Sequence, residues 1–143
     1  MGKKRVAKKG GDTGASGSRG SITRAPKRKL DQGILNVEAT YNNTKVSLAD
    51  TTGNIVLWSS SGSLGFSGAK KGTPFAAAKV GELIGEKAAA MGVREVSVVV
   101  AGVGAGRESS IRAFSTKGIH ILGIKDKTPV PHNGPRPPKP RRV

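Results

Sequence analysis

Three glycines at alternate positions, Gly102, Gly104 and Gly106, follow an apolar β-branched run and open onto a segment carrying Arg107, Ser109 and Arg112. Glycine permits positive φ and close approach of a partner, and a helix starting here presents bare amides with a partial positive charge. Such groups grip anions. A second stretch, Ser60 to Gly72, reads SSGSLGFSGAKKG and leads into Thr73. Its backbone amides, hydroxyls, Lys70 and Lys71 are again chemistry for phosphate oxygens. The lone aromatic there, Phe66, could stack on a base; pinning the loop to the core is the preferred reading.

Other chemistries fit poorly. The glycines are spaced G-x-G-x-G rather than the G-x-G-x-x-G of dinucleotide-binding turns, and Asp126 sits between Lys125 and Lys127. Gly65 to Lys71 lacks the spacing of a nucleoside-triphosphate loop. With no cysteine there is no disulfide or thiolate chemistry, and two isolated histidines, His120 and His132, argue against a metal site. The acids between residues 31 and 124 are Asp31, Glu38, Asp50, Glu82, Glu86, Glu95 and Glu108. Only Glu38 could be superposed on a metal-dependent nuclease centre, and no second acid has a reason to face it. No catalytic residue, cofactor, metal or small-molecule substrate is therefore expected.

Charge points to a polyanion instead. The 143 residues hold 25 Lys and Arg against 9 Asp and Glu, a net charge of +16. Residues 1–30 carry ten basic residues and one acid, residues 125–143 six and one, and residues 31–124 nine against seven. A nearly neutral domain (31–124) thus separates a basic amino-terminal arm (1–30) from a basic, proline-rich carboxyl-terminal arm (125–143). The first arm has almost no apolar side chains with which to offset the entropy of ordering, so disorder is expected in isolation. The second, with six prolines, cannot enter a sheet interior. No apolar run approaches membrane-spanning length, and MGKKRVAKKGG lacks the apolar centre of a secretory signal, so an intracellular chain is expected.

The elements that must position these residues follow from periodicity. Leu35, Val37, Ala39 and Tyr41 alternate with Asn36, Glu38 and Thr40 as one strand. Asn42-Asn43-Thr44 turns into a strand over 45–50, and Thr51 to Asn54 turns into a third over 55–59. Thr73 as cap, Pro74 behind it and Gly92 as stop bound a long helix over 75–91. Within it Ala77, Gly81 and Gly85 form a small-residue stripe that invites a close neighbour, expected to be the sheet. Residues 94–101 (REVSVVVA) read as a central strand covered on both faces, 107–117 as a short helix with Ile111 and Phe114 inward, and 119–124 as a fifth strand, apolar on both faces. Two right-handed crossovers then give an α/β fold: a five-stranded mixed sheet, three antiparallel strands plus two parallel ones, in a ribonuclease-H-like architecture.

Certain runs are specific to a family. Gly65-Phe66, Lys70-Lys71-Gly72-Thr73-Pro74-Phe75-Ala76-Ala77, Gly106-Arg107-Glu108-Ser109-Ser110-Ile111-Arg112-Ala113, Thr128-Pro129-Val130-Pro131-His132-Asn133-Gly134 and Arg136-Pro137-Pro138-Lys139 closely resemble the eleventh-protein family of the small ribosomal subunit. The likeness runs in order over about residues 30–143, and the Pro-His-Asn-Gly tail resembles bacterial or organellar members. It departs at Ala101-Gly102-Val103-Gly104-Ala105, where the family usually has a Gly-Pro-Gly loop, and at Pro135, in place of a common cysteine.

The resemblance implies a structural, non-catalytic protein of the cytoplasmic ribosome, bound to small-subunit ribosomal RNA. It implies a place on the platform beside the messenger path near the exit site, next to the small-subunit proteins numbered six, seven and eighteen. The RNA-binding set expected from residues and resemblance together comprises Lys27, Arg28 and Lys29 in the first arm, and Lys70, Lys71, Gly72 and Thr73 in the serine-glycine loop. To these are added Gly104, Gly106, Arg107, Ser109 and Arg112 around the second helix, and Lys127, His132, Asn133, Arg136, Lys139, Arg141 and Arg142 in the second arm. A basic nucleoid-type DNA-binding protein and the nuclease above are the rival readings.

Overall fold

The computed structural model describes residues 29–142. The first arm's Lys27 and Arg28 lie outside the described residues.

Alternating burial builds the first three strands, β1 (Gln32–Ala39), β2 (Thr44–Ala49) and β3 (Ile55–Ser60). Leu35, Val37, Val46, Leu48 and Leu57 point to one face, with Asn36, Ser47 and Trp58 on the other. The strands pair antiparallel, Val37 opposite Val46 and Leu48 opposite Leu57. Tyr41, expected to extend the buried row of β1, is instead 79% exposed. The chain has already turned by then, since the Thr40 N–H donates to the Asn43 carbonyl at 2.8 Å.

The following loop contains two short 3-10 turns, Gly62–Leu64 and Gly68–Gly72, where no regular structure was expected. Helix α1 (Pro74–Ala90) starts as the sequence predicts: Thr73 Oγ1 accepts from the Ala76 N–H at 3.4 Å, Pro74 occupies the first turn, and Gly92 leaves the helix at φ 83°. Strand β4 (Glu95–Ala101), helix α2 (Gly106–Ser115) and strand β5 (His120–Asp126) complete the fold. The order is β3-β2-β1-β4-β5, with β1, β4 and β5 parallel, as a ribonuclease-H-like arrangement requires.

Both helices cover the same face of the sheet. Val80, Ile84 and Ala88 of α1 and Phe114 of α2 pack on Leu35, Val37, Leu48, Val96, Val98 and Val100, all nearly inaccessible to solvent. Burial of each such aliphatic side chain contributes on the order of 1.5–3 kcal/mol, the main driving force for this arrangement. The other face is open, which corrects two expectations. β4 is covered on one side only, with Ser97 exposed and Val99 half-buried. β5 is an edge strand whose Leu122 and Ile124 are 55% and 63% exposed, because it lies beyond the reach of the helices. It also runs to Asp126, two residues into the segment assigned to the arm.

The small-residue stripe of α1 has a different partner from the one expected. Gly81 and Gly85 face α2, where a side chain at Gly81 would strike the Ser110 backbone and one at Gly85 the Lys117 side chain. The two helices therefore approach more closely than side chains beyond hydrogen would allow.

Candidate nucleic-acid interface

Strand direction gathers the loops. β3 runs with β1, β4 and β5, so the carboxyl ends of four strands, Ser60, Ala39, Ala101 and Asp126, lie at one end of the sheet. The serine-glycine loop, the glycine loop 102–106, the β1–β2 turn and the start of the second arm all emerge there. Both crossover helices begin there too, so the positive ends of α1 and α2 point to this end. No acid occupies the first turn of α1, and Glu108 alone does so in α2. Asp31, Asp50 and Glu95 lie at the far end, at the start of β1, the β2–β3 turn and the start of β4.

The β1–β2 turn is the seat on which both glycine-containing loops rest. A side chain at Gly72 would overlap the Tyr41 carbonyl, and side chains at Gly102 and Gly104 would overlap the carbonyls of Ala39 and Thr40. One at Gly106 would meet the Thr44 hydroxyl and, at 2.7 Å, the Ala77 methyl. The Gly104 N–H donates to the Ala39 carbonyl at 2.8 Å, and Gly102 turns at φ 97°. Gly104 and Gly106 are buried. The close approach read from these glycines is thus made by the chain's own hairpin, a partner that spacing alone does not reveal.

Around this seat the cationic side chains divide. Lys70 and Arg112 are exposed and Lys71 is half-buried. None of the three side chains makes a hydrogen bond or ion pair among the described residues, and all can meet an external anion. Ser109 is half-buried; its neighbour Ser110 is fully buried and donates to the Gly106 carbonyl at 2.9 Å. The Thr73 hydroxyl donates to the Lys70 carbonyl at 2.7 Å while capping α1, so it holds the lysine loop against the helix. Phe66 packs edge-on against Phe75, ring centres 6.0 Å apart, and Phe75 is itself 64% exposed. It pins the loop to the first turn of α1 rather than to the core.

Arg107 is engaged within the protein. Its Nη2 lies 2.7 Å from Asp126 Oδ2, and its Nη1 donates to the Gly102 carbonyl and, at 3.2 Å, to Thr128 Oγ1. Asp126 also accepts from the Thr128 hydroxyl at 2.6 Å and the Thr128 N–H at 2.8 Å. The Thr128 hydroxyl, then Arg107, then the Thr128 N–H hold the Asp126 carboxyl well below the usual carboxylate range. Sequence reasoning missed Asp126 and Thr128, because nothing at their positions shows that β5 ends beside the glycine loop. Beyond Thr128 the chain is exposed and irregular, with a bend at His132–Asn133, and presents His132, Asn133, Arg136, Lys139, Arg141 and Arg142; Lys29 and Lys127 are exposed as well. Glu38, the acid a nuclease centre would use, stands 3.9 Å from Lys45 Nζ.

Known proteins resemble this chain over most of its length. The model of the family described as ribosomal protein S11 matches residues 33–142. A small ribosomal subunit protein uS11 of Solibacter usitatus is 51% identical over 128 residues, 90% of this chain and 95% of that protein. The uS11 protein of Gloeobacter violaceus is 49% identical over 129 residues (90% and 99%), and that of Rippkaea orientalis 50% over 121 (85% and 93%). Fold and relatives together define a ribosomal structural protein, of a class that binds ribosomal RNA and has no enzymatic activity. Within that class the chain belongs to the ribosomal protein S11 family. It is a structural protein of the small subunit, with ribosomal RNA and ribosomal proteins as partners in the cytoplasmic ribosome.

Proposed function

We propose that the loop end of the sheet is the surface that meets small-subunit ribosomal RNA, on the platform and beside the messenger path near the exit site. There the chain supports assembly and translation next to the small-subunit proteins numbered six, seven and eighteen. The observation that carries the reading is convergence. Two helix N-termini, Lys70, Lys71 and Arg112, and the root of a basic arm are collected at one end, while Asp31, Asp50 and Glu95 occupy the other. The positive helix ends and Lys70, Lys71 and Arg112, unpaired among the described residues, make the loop side favourable to an anion.

Work is divided between loops and arms in this reading. The loops, fixed on the β1–β2 turn, present a rigid shape that fits one RNA conformation, and the arms neutralise phosphates along whatever path that docking sets. Lys27, Arg28 and Lys29, with Lys127, His132, Asn133, Arg136, Lys139, Arg141 and Arg142, belong to the neutralising set. Crosslinking in cells, followed by mapping of both the nucleotides and the peptides, tests this. Crosslinks from the peptides around Lys70, Lys71, Arg112 and both arms to small-subunit RNA are the expected result. Crosslinks concentrated on the β2–β3 turn or the open sheet face would overturn it.

A further inference from the structure

We propose that Arg107 is a positioning residue: with Asp126 and Thr128 it forms a latch that sets the direction in which residues 129–142 leave the sheet. The inference rests on the reading that this arm meets RNA, and it removes Arg107 from the residues expected to touch phosphate.

The geometry is that of a closed network. The Thr128 hydroxyl donates to Asp126 Oδ1 and accepts from the Gly102 N–H at 3.2 Å and from Arg107 Nη1, which uses its one donor and both acceptor positions. Arg107 spans the Gly102 carbonyl, Thr128 and Asp126 with one planar fork, a pattern that a single ammonium point charge cannot reproduce. The Lys127 N–H continues the sheet by donating to the Val100 carbonyl at 2.8 Å. Among the described residues, no hydrogen bond joins the arm to the body beyond Thr128.

The next residue is Pro129, followed by Val130 and Pro131. A residue before proline is confined to extended backbone, and proline fixes its own φ, so the orientation set at Thr128 is carried outward by a stiff segment. Orientation at the root therefore fixes where the bend at His132–Asn133 begins, and with it the region the basic residues beyond can reach. An Arg107 that bound phosphate would first have to leave a charge-assisted pair and two further acceptors, whereas Arg112, one turn and a half along α2, has no such ties.

The two roles differ in sign under one substitution. Asp126→Asn makes the protein more positive by one charge and frees Arg107, so simple attraction to RNA would tighten binding. The latch predicts the reverse: about tenfold weaker binding, as expected if roughly one residue's backbone order must be supplied on association. Its log-log salt slope would stay unchanged. Thr128→Val and Arg107→Lys, both of which leave the net charge as it is, should weaken binding similarly.

The experiment uses the full chain and a small-subunit ribosomal RNA transcript, with an unrelated transcript as comparison. A nitroxide on Val130→Cys, the sole thiol in this cysteine-free chain, reports arm motion by electron paramagnetic resonance. Its spectrum should narrow in free D126N and free T128V relative to wild type, while circular dichroism confirms that both are folded. Identical spectra, or D126N binding as tightly as wild type, would overturn the latch. Wild-type protein that fails to prefer the ribosomal transcript would overturn the RNA reading, and the spectra of the free proteins would still decide whether the latch orders the arm.

Discussion

Gly81 on α1 lies directly against the backbone of Ser110 on α2: a methyl group in place of its hydrogen would stand 3.1 Å from the Ser110 Cα and 3.0 Å from its carbonyl carbon. Backbone cannot rotate away as a side chain can. Gly81→Ala should therefore gain roughly 1 kcal/mol of helix propensity and lose more by forcing the helices apart, for a net destabilisation of about 1–2 kcal/mol. Gly123→Ala is the control, because a side chain there meets nothing within 4 Å. Urea unfolding should place G81A clearly below wild type and G123A within about 0.5 kcal/mol of it. Equal midpoints for the two variants would mean that the α1–α2 contact is not tightly packed.

Asp50 organises the β2–β3 turn and should give it a pH dependence. Its Oδ1 accepts from the Thr52 hydroxyl at 2.7 Å, the Asn54 N–H at 2.8 Å and the Thr52 N–H at 3.0 Å. These bonds, that from the Thr52 hydroxyl foremost, lower its pKa from 3.8 to about 2. The unfolded chain then binds the proton more readily than the folded one. The contribution is complete above the unfolded value of 3.8 and is lost as pH falls through about 2. Asp50→Asn should lower stability at neutral pH, with the gap to wild type closing between pH 4 and 2. A gap that stays constant with pH would show that the charge on Asp50 contributes nothing.

Asn133 is exposed and sits at φ 55°, followed by Gly134. Positive φ is a conformation that asparagine tolerates in turns, and glycine leaves the next backbone nitrogen unhindered. Attack of that nitrogen on the Asn133 side-chain carbonyl expels ammonia, and the succinimide opens mainly to isoaspartate, adding one negative charge and one backbone carbon. Aged protein should show isoaspartate at this position by peptide mapping, and Gly134→Ala should slow its appearance. Intact Asn133 in aged material of both proteins would refute the idea.

Much of the fold is legible in the sequence because strand and helix periods differ. Alternation fixes β1 to β3, and Thr73, Pro74 and Gly92 bound α1. What periodicity cannot supply is neighbourhood. Leu122 and Ile124 have the same hydropathy on an edge strand as in a sheet interior, so their exposure could not be foreseen. The Gly81–Gly85 stripe announces a close contact without saying whether sheet or helix makes it. The candidate site shows the same limit. Lys70, Lys71 and Arg112 are presented outward as their types suggest, but Arg107 is tied to Asp126, nineteen residues away, by a crossover that only the assembled sheet brings together. Gly104 and Gly106 could be recognised as places of close approach, whereas the approaching group, the chain's own β1–β2 turn, could not.

Salt dependence separates the arm's contribution from that of the loops. Residues 136–142 present Arg136, Lys139, Arg141 and Arg142, all exposed and none paired within the described residues. Each phosphate that such a residue neutralises releases counterions, so each lost contact should flatten the log-log slope of affinity against salt by about 0.7–0.9. Deleting residues 136–143 should therefore reduce the slope by roughly 3 if all four residues contact phosphate, and should weaken ribosomal and unrelated RNA by a similar factor. Arg112→Ala should behave differently. It removes one charge at the rigid end of the sheet, where position is fixed by α2, so its loss should fall mainly on the ribosomal transcript and lower the preference between the two RNAs. Titrations of both RNAs at several salt concentrations check this directly. A truncation that abolishes preference with an unchanged slope would make the arm the element that selects the RNA and the loops the general binders, the reverse of the division proposed above.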